Sequence, residues 1–132
     1  MLSAQGASYD NPPVRILLVE DHALFRSTLA LLLGHEPELE VVAQAGSLAE
    51  AREALDGLFD VAVVDLGLPD GDGSELIGEL RQSNPGVSVL VLSATIMPGH
   101  VDDVRKAGAN AVLTKVETSL TIVEEVRRLA GK

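Results

Sequence analysis

Residues 60–73 read DVAVVDLGLPDGDG: an apolar run, Asp60–Asp65, stops at a carboxylate and opens into a loop of turn formers, Leu66–Gly73. A run this short, with apolar side chains at successive positions, reads as a strand buried on both faces. The same pattern stands upstream, where Val14–Glu20 (VRILLVE) follows the Pro12-Pro13 break, ends in acid and leads into Asp21. Downstream, Val87–Ser93 (VSVLVLS) ends in a hydroxyl, and the short run Ala109–Thr114 ends against Lys115. Glu40–Ala45 (EVVAQA) is the remaining strand-like segment.

Helical spacing fills the intervals. His22–Gly34 carries Leu24, Phe25, Leu29, Leu31, Leu32 and Leu33, with Asp21 placed near its N-terminus. Gly46-Ser47 with Glu50 forms a capping box ahead of a helix over Ala49–Leu58. Ser74–Gln82 is a third helix, and a short polar helix over His100–Ala107 follows Met97-Pro98-Gly99 and ends at Gly108. Thr118–Leu129 closes the chain with Ile122, Val126 and Leu129 on one face, and Glu124 spaced to pair with Arg127 or Arg128. The alternation is (βα)5. It predicts an α/β fold, a flavodoxin-like doubly wound parallel sheet of strand order 2-1-3-4-5, with a crevice at the carboxyl ends of strands 1 and 3.

Composition narrows the function. The 132 residues hold 10 Lys+Arg against 20 Asp+Glu, a net charge of −10, which repels nucleic acid and anionic lipid at long range. Aromatics are 2% of the chain (Tyr9, Phe25, Phe59), too few for a stacking platform. With no cysteine, thiol nucleophiles, thiolate metal sites and disulfide scaffolds are excluded. Met1–Pro13 lacks a basic and an apolar region and reads as a loose tail, and no apolar run reaches the length of a membrane span.

The strand ends carry the chemistry. The topology brings Glu20 and Asp21 from strand 1 and Asp65 from strand 3 to one edge. Three converging carboxylates call for a cation, and oxygen donors suit Mg²⁺ or Mn²⁺. Ser93 offers a hydroxyl to an anionic oxygen, and Lys115 a fixed positive charge. The set suits phosphoryl transfer to a carboxylate, with Asp65 as acceptor, Glu20 and Asp21 as metal holders and the Gly67 backbone carbonyl as a further ligand. Taken singly, each residue has a plainer reading: Asp21 as a helix cap, Asp65 as a turn former, Ser93 and Lys115 as solvated strand ends. Joint occurrence at one edge shifts the weight. His22 reads as a surface residue, Asp70–Gly73 as turn chemistry, and Glu75 with Glu79 as a solvated helix face.

ILLVEDH (16–22), VVDLGLPDGDG (63–73), VLSA (91–94) and AGANAVLTK (107–115) together resemble the receiver domain of bacterial two-component response regulators. The resemblance spans nearly all of Val14–Leu129. It implies residues 14–132 as a receiver domain behind a flexible tail, 1–13. It also implies that Asp65 accepts a phosphoryl group from a sensor histidine kinase in a Mg²⁺-dependent reaction, with Ser93 and Lys115 contacting that group. EDHALFRSTLALLL and ELEVVAQAGSLAEA are similar to the LuxR-type subfamily, whose receivers precede a DNA-binding domain. None follows Leu129 in this sequence, so DNA contact is expected only through an output domain outside it. A cytoplasmic location and a homodimer formed on phosphorylation are further implications.

The sequence departs from the family pattern in three respects. Val112 replaces the switch aromatic three residues before the lysine. Val116 replaces the proline after it, and Gly67 and Thr95 occupy positions that tune hydrolysis of the acyl phosphate. A P-loop nucleotidase is excluded because no GxxxxGK[ST] follows a strand. An FMN site is disfavoured by Glu20-Asp21 where a phosphate cradle belongs, and an aspartyl phosphatase lacks its second acid at Gly67. The serious rival is a phosphorylation-independent receiver acting as an interaction module, an idea that Val112 supports and the intact acid, hydroxyl and lysine set opposes.

Overall fold

The computed structural model describes residues 12–94 and 99–131. Residues 1–11, most of the expected tail, and Thr95, Met97 and Pro98 lie outside the described residues. Five strands, β1 (Val14–Val19), β2 (Leu39–Ala45), β3 (Val61–Asp65), β4 (Ser88–Ser93) and β5 (Ala111–Thr114), form one sheet in the order β2-β1-β3-β4-β5. Every pairing in it is parallel. This is the expected flavodoxin-like order.

Helices α1 (Ala23–Gly34), α2 (Leu48–Glu53), α3 (Ser74–Ser83), α4 (His100–Ala107) and α5 (Ser119–Leu129) cover both faces. Alternate residues of the central strands serve opposite layers. Leu17, Val19, Ala62, Val64, Val89 and Val91 pack with Leu48, Leu76, Ile77, Leu80 and Val104 from α2, α3 and α4. Ile16, Leu18, Val61, Val63, Leu90 and Leu92 pack with Leu29, Leu33, Ile122 and Val126 from α1 and α5. That double burial is why β1 and β3 read as continuous apolar runs.

Several details differ from the sequence expectation. The second helix ends at Glu53, not Leu58, because the chain tightens into short turns: Ala54 N–H donates to Ala51 O, and Gly57 N–H to Ala54 O. Beyond it the Phe59 N–H donates to Asn84 Oδ1 (2.9 Å) while Asn84 Nδ2 donates to Gly57 O (3.2 Å), so the buried Asn84 amide ties the exposed turn to the buried Phe59. Ser47 Oγ accepts from Glu50 N–H as a cap should, yet the Glu50 carboxylate reaches back one residue further than a capping box requires, to Gly46 N–H (2.7 Å). In α5 the ion pair is Glu125 with Arg128, not Glu124, and Arg127 turns to Glu38 (2.9 Å) and Glu36 (3.4 Å). Asp21 does not cap α1; the residue before that helix is His22, and its side chain makes no capping bond.

The loop after Asp65 is a miniature antiparallel ribbon, in which Gly67 pairs with Asp72 and Leu68 with Gly71. Gly73 closes it, donating its N–H to Leu66 O (2.9 Å) in an ordinary helical conformation (φ −57°, ψ −21°). Space, not backbone freedom, requires glycine there: an added Cβ would lie 2.2 Å from the Asp65 carbonyl oxygen. Gly73→Ala is therefore expected to lose at least about 2 kcal/mol of stability in denaturant titration. Gly78→Ala, on an open face of α3 where a Cβ meets nothing within 4 Å, should gain roughly 0.5–1 kcal/mol.

Candidate functional site

The carboxyl ends of β1, β3, β4 and β5 meet at one edge of the sheet, and each strand delivers its terminal residue there by register. Asp65 pairs with Leu92 and Ser93 with Thr114, so Ser93 and Lys115 follow one step beyond on adjoining strands. Backbone bonds fix that step: Leu66 N–H donates to Leu92 O (3.0 Å), and Lys115 N–H to Ser93 O (2.8 Å). The end of β1 is held by Glu20 N–H on Ala45 O (2.9 Å) and by Arg26 Nη1 on Glu20 O (2.6 Å).

Lys115 is the hub. Its Nζ lies 2.8 Å from Glu20 Oε1, 3.3 Å from Asp65 Oδ2 and 3.2 Å from His22 Nδ1, and 5.2 Å from the centroid of the Phe25 ring. Glu20 is fully buried, Asp65 is 2% exposed and Ser93 is also buried. His22 N–H donates to Glu20 Oε2 (3.0 Å), and Gly67 N–H donates to Asp65 Oδ1 (3.0 Å).

The two buried acids answer this environment in opposite directions. Burial pushes Asp65 up, and the Glu20 charge adds to that; the Gly67 and Lys115 hydrogen bonds and charge oppose it, leaving its pKa at about 6. Burial also opposes ionisation of Glu20, but hydrogen bonds from Lys115 and His22 outweigh it and hold this carboxyl below its ordinary value. Lys115 loses hydration in the same pocket, and its bonds to Glu20 and the nearby Asp65 charge more than offset that loss, so its pKa is raised.

One ligand atom from each of Glu20, Asp21, His22 and Asp65 lies within 4.8 Å of the others. Glu20 Oε1 and Asp21 Oδ1 are buried without a hydrogen-bond donor; the Lys115 ammonium is near the first but out of alignment, and His22 Nδ1 lies 3.3 Å from the second. Hard oxygen donors with unfilled lone pairs in a carboxylate-rich pocket fit a divalent cation of the Mg²⁺ class.

The response regulator receiver domain matches residues 16–127 of the sequence. The chain belongs to this family. It is 37% identical over 115 residues to the DNA-binding transcriptional activator DevR/DosR of Mycobacterium tuberculosis, covering 86% of this chain and 53% of that protein. It is 40% identical over 106 residues to the transcriptional regulatory protein UhpA of Salmonella typhimurium, covering 77% and 51%. This receiver thus spans about half the length of the curated relatives it matches. Among solved structures, the receiver domain of the putative response regulator NarL from Mycobacterium tuberculosis superposes with a TM-score of 0.79 at 30% identity, covering 90% of this chain and 97% of that one. A Burkholderia pseudomallei response regulator, solved with a phosphorylated aspartic acid, a calcium ion and citrate, gives 0.79 at 27% identity over 89% of this chain and 69% of that one.

Within the receiver, Glu20, Asp21, Asp65 and Lys115 come together as the spacing predicts. Ser93 takes its place at the neighbouring strand end, and Gly67 touches Asp65 through its N–H, a contact separate from the cation-facing role expected of its carbonyl. His22 corrects the expectation of a plain surface residue: its ring is largely exposed, but Nδ1 reaches Glu20, Asp21 and Lys115. Position directly after the acidic pair was the available signal. The Glu75 and Glu79 side chains are not merely solvated either, since both pair with Arg52 of α2 (3.5 and 2.9 Å).

Folding raises the Asp65 pKa, so the native state binds this proton more tightly than the unfolded chain. The associated stability is fully present below pH 4 and is lost as pH rises through about 6. In EDTA, wild type relative to Asp65→Asn should lose about 2–3 kcal/mol between pH 4 and pH 7.5 in urea titrations. Adding Mg²⁺ at pH 7.5 should raise the Tm of wild type and leave that of Asp65→Asn nearly unchanged.

Proposed function

We propose that the chain is the phosphoacceptor switch of a two-component system, with Asp65 accepting a phosphoryl group from a phosphohistidine of a sensor kinase. The observation that carries this reading is one buried carboxylate at a strand end, held between an ammonium and a backbone N–H and flanked by two further acids. A carboxylate with a pKa of about 6 is largely ionised at neutral pH, so it is available as a nucleophile.

An Asp65 carboxylate oxygen attacks phosphorus in line, forming the acyl phosphate as the nitrogen–phosphorus bond breaks, and the electron pair leaves on the imidazole, which takes up a proton. Lys115 neutralises charge on the phosphoryl oxygens, and the Ser93 hydroxyl donates to one of them. Glu20, Asp21, Asp65 and the Gly67 carbonyl would hold Mg²⁺, or Mn²⁺ in its place. When bound, that cation supplies charge neutralisation between the incoming phosphoryl group and the carboxylates. The calcium ion and phosphorylated aspartic acid of the Burkholderia pseudomallei protein support the assignment by similarity.

The receiver assists its own phosphorylation and dephosphorylation without being a conventional enzyme. It acts in the cytoplasm on transcription, through a partner, a homodimer or an output domain that contacts DNA; the regulatory names of its relatives favour this reading. Residues 14–132 form the receiver domain and 1–13 a tail. Among the described residues no helix is long and apolar enough to cross a membrane.

The test is intact mass after incubation with acetyl phosphate and Mg²⁺. One phosphoryl group should appear on wild type and not on Asp65→Asn or in EDTA. If neither phosphoryl gain nor metal-dependent acetyl phosphate turnover occurs in the folded protein, the reading fails and the phosphorylation-independent module takes its place.

A further inference from the structure

The loop that follows Asp65 is tethered at its far end by an interaction that the phosphoacceptor chemistry does not itself require. Pro69-Asp70 forms the tip of the ribbon, and the Asp70 side chain reaches the first turn of α2. There Oδ1 accepts from Leu48 N–H (2.8 Å) and Oδ2 from Ala49 N–H (3.0 Å). The partners are 22 and 21 residues away in sequence, so this is a bond between the loop tip and the start of α2 and not a local turn. The next residue is pressed onto the same helix: a Cβ on Gly71, whose φ is +154°, would lie 2.6 Å from Leu48 Cδ1. At the ribbon's other end the Gly67 N–H sits on Asp65 Oδ1. Between these two anchors the chain runs only through Leu68, which is buried, and Pro69, and Gly71–Asp72 returns beside it as the paired strand.

We propose that Asp70 is a positioning residue of the phosphoacceptor site: its carboxylate ties the ribbon tip to α2 and so holds the Gly67 backbone against Asp65. The inference rests on the reading of Asp65 as acceptor. Its physical content is that a two-residue ribbon is too short to be stable alone and takes its order from its ends. Untying one end lets the Gly67 amide wander from the carboxylate, and small displacements at a reacting centre are costly in rate. The ionised form of Asp70 is favoured by the same two N–H donors, so the tether persists through neutral pH.

A plain capping role is separated from a positioning role by a second cap on the same helix. Ser47 Oγ accepts from Glu50 N–H and touches nothing in the Asp65 loop among the hydrogen bonds of the described residues. In the full chain, Asp70→Ala and Ser47→Ala should both lower Tm. Only Asp70→Ala should speed hydrogen exchange at the Gly67 amide and slow Mg²⁺-dependent phosphorylation by acetyl phosphate, by roughly five- to tenfold. Asp70→Asn keeps one acceptor oxygen, folds with less perturbation and should fall between wild type and Asp70→Ala in both readouts.

Equal effects of Asp70→Ala and Ser47→Ala on the rate, or a Gly67 amide indifferent to residue 70, would overturn the proposal. Failure of wild type to take up a phosphoryl group, with the exchange pattern intact, would instead overturn the reading of Asp65 and leave Asp70 a structural tether only.

Discussion

Two carboxylates, Glu20 and Asp65, are taken out of water at the end of a buried sheet, and one ammonium, that of Lys115, contacts both. Everything else at this edge follows from the cost of that arrangement. Removing charge from water is expensive unless each ion is paired and hydrogen-bonded. Glu20 is compensated, by Lys115 and by the His22 N–H. Asp65 is compensated less, with one amide and a share of the same lysine, and burial pushes its pKa up. On the function proposed above, that shortfall at Asp65, together with the Glu20 and Asp21 oxygens that lack a hydrogen-bond donor, is what a cation and a phosphoryl group would relieve.

The fold supplies this arrangement through register alone. Parallel pairing sets the ends of β3, β4 and β5 side by side, and the switch of direction between β1 and β3 opens the crevice where the acids stand. The tight passages of the chain lie close by: Gly73 against the Asp65 carbonyl, Gly71 against Leu48. They allow the 66–73 loop to fold flat on the sheet edge.

The sheet order and four of the acidic and basic site positions were legible in the sequence because each depends on local pattern. Doubly buried strands lack alternation, and a charged residue directly after such a strand must emerge at its end. What escaped depends on contacts between distant segments. His22 joins the cluster only because the start of α1 turns its ring back over Glu20, and Phe25 meets Lys115 across 90 residues. Asp70 in a turn-rich string reads as turn chemistry, and no spacing rule reveals that its partners are the amides of another helix. The second helix stops early where the chain tightens into turns that lead to the Phe59–Asn84 bond and on into β3, and helical periodicity alone runs past that point.

Holding a phosphoryl group on Asp65 together with a divalent cation is the property that the proposed function assigns to these charges. Titration of the receiver with beryllofluoride, a phosphoryl mimic, followed by amide NMR with and without Mg²⁺, addresses it directly. Saturable shifts centred on Asp65, Gly67, Ser93 and Lys115, seen only when Mg²⁺ is present, are the predicted result. An unchanged spectrum, or shifts that need no divalent cation and persist in Asp65→Asn, would contradict it.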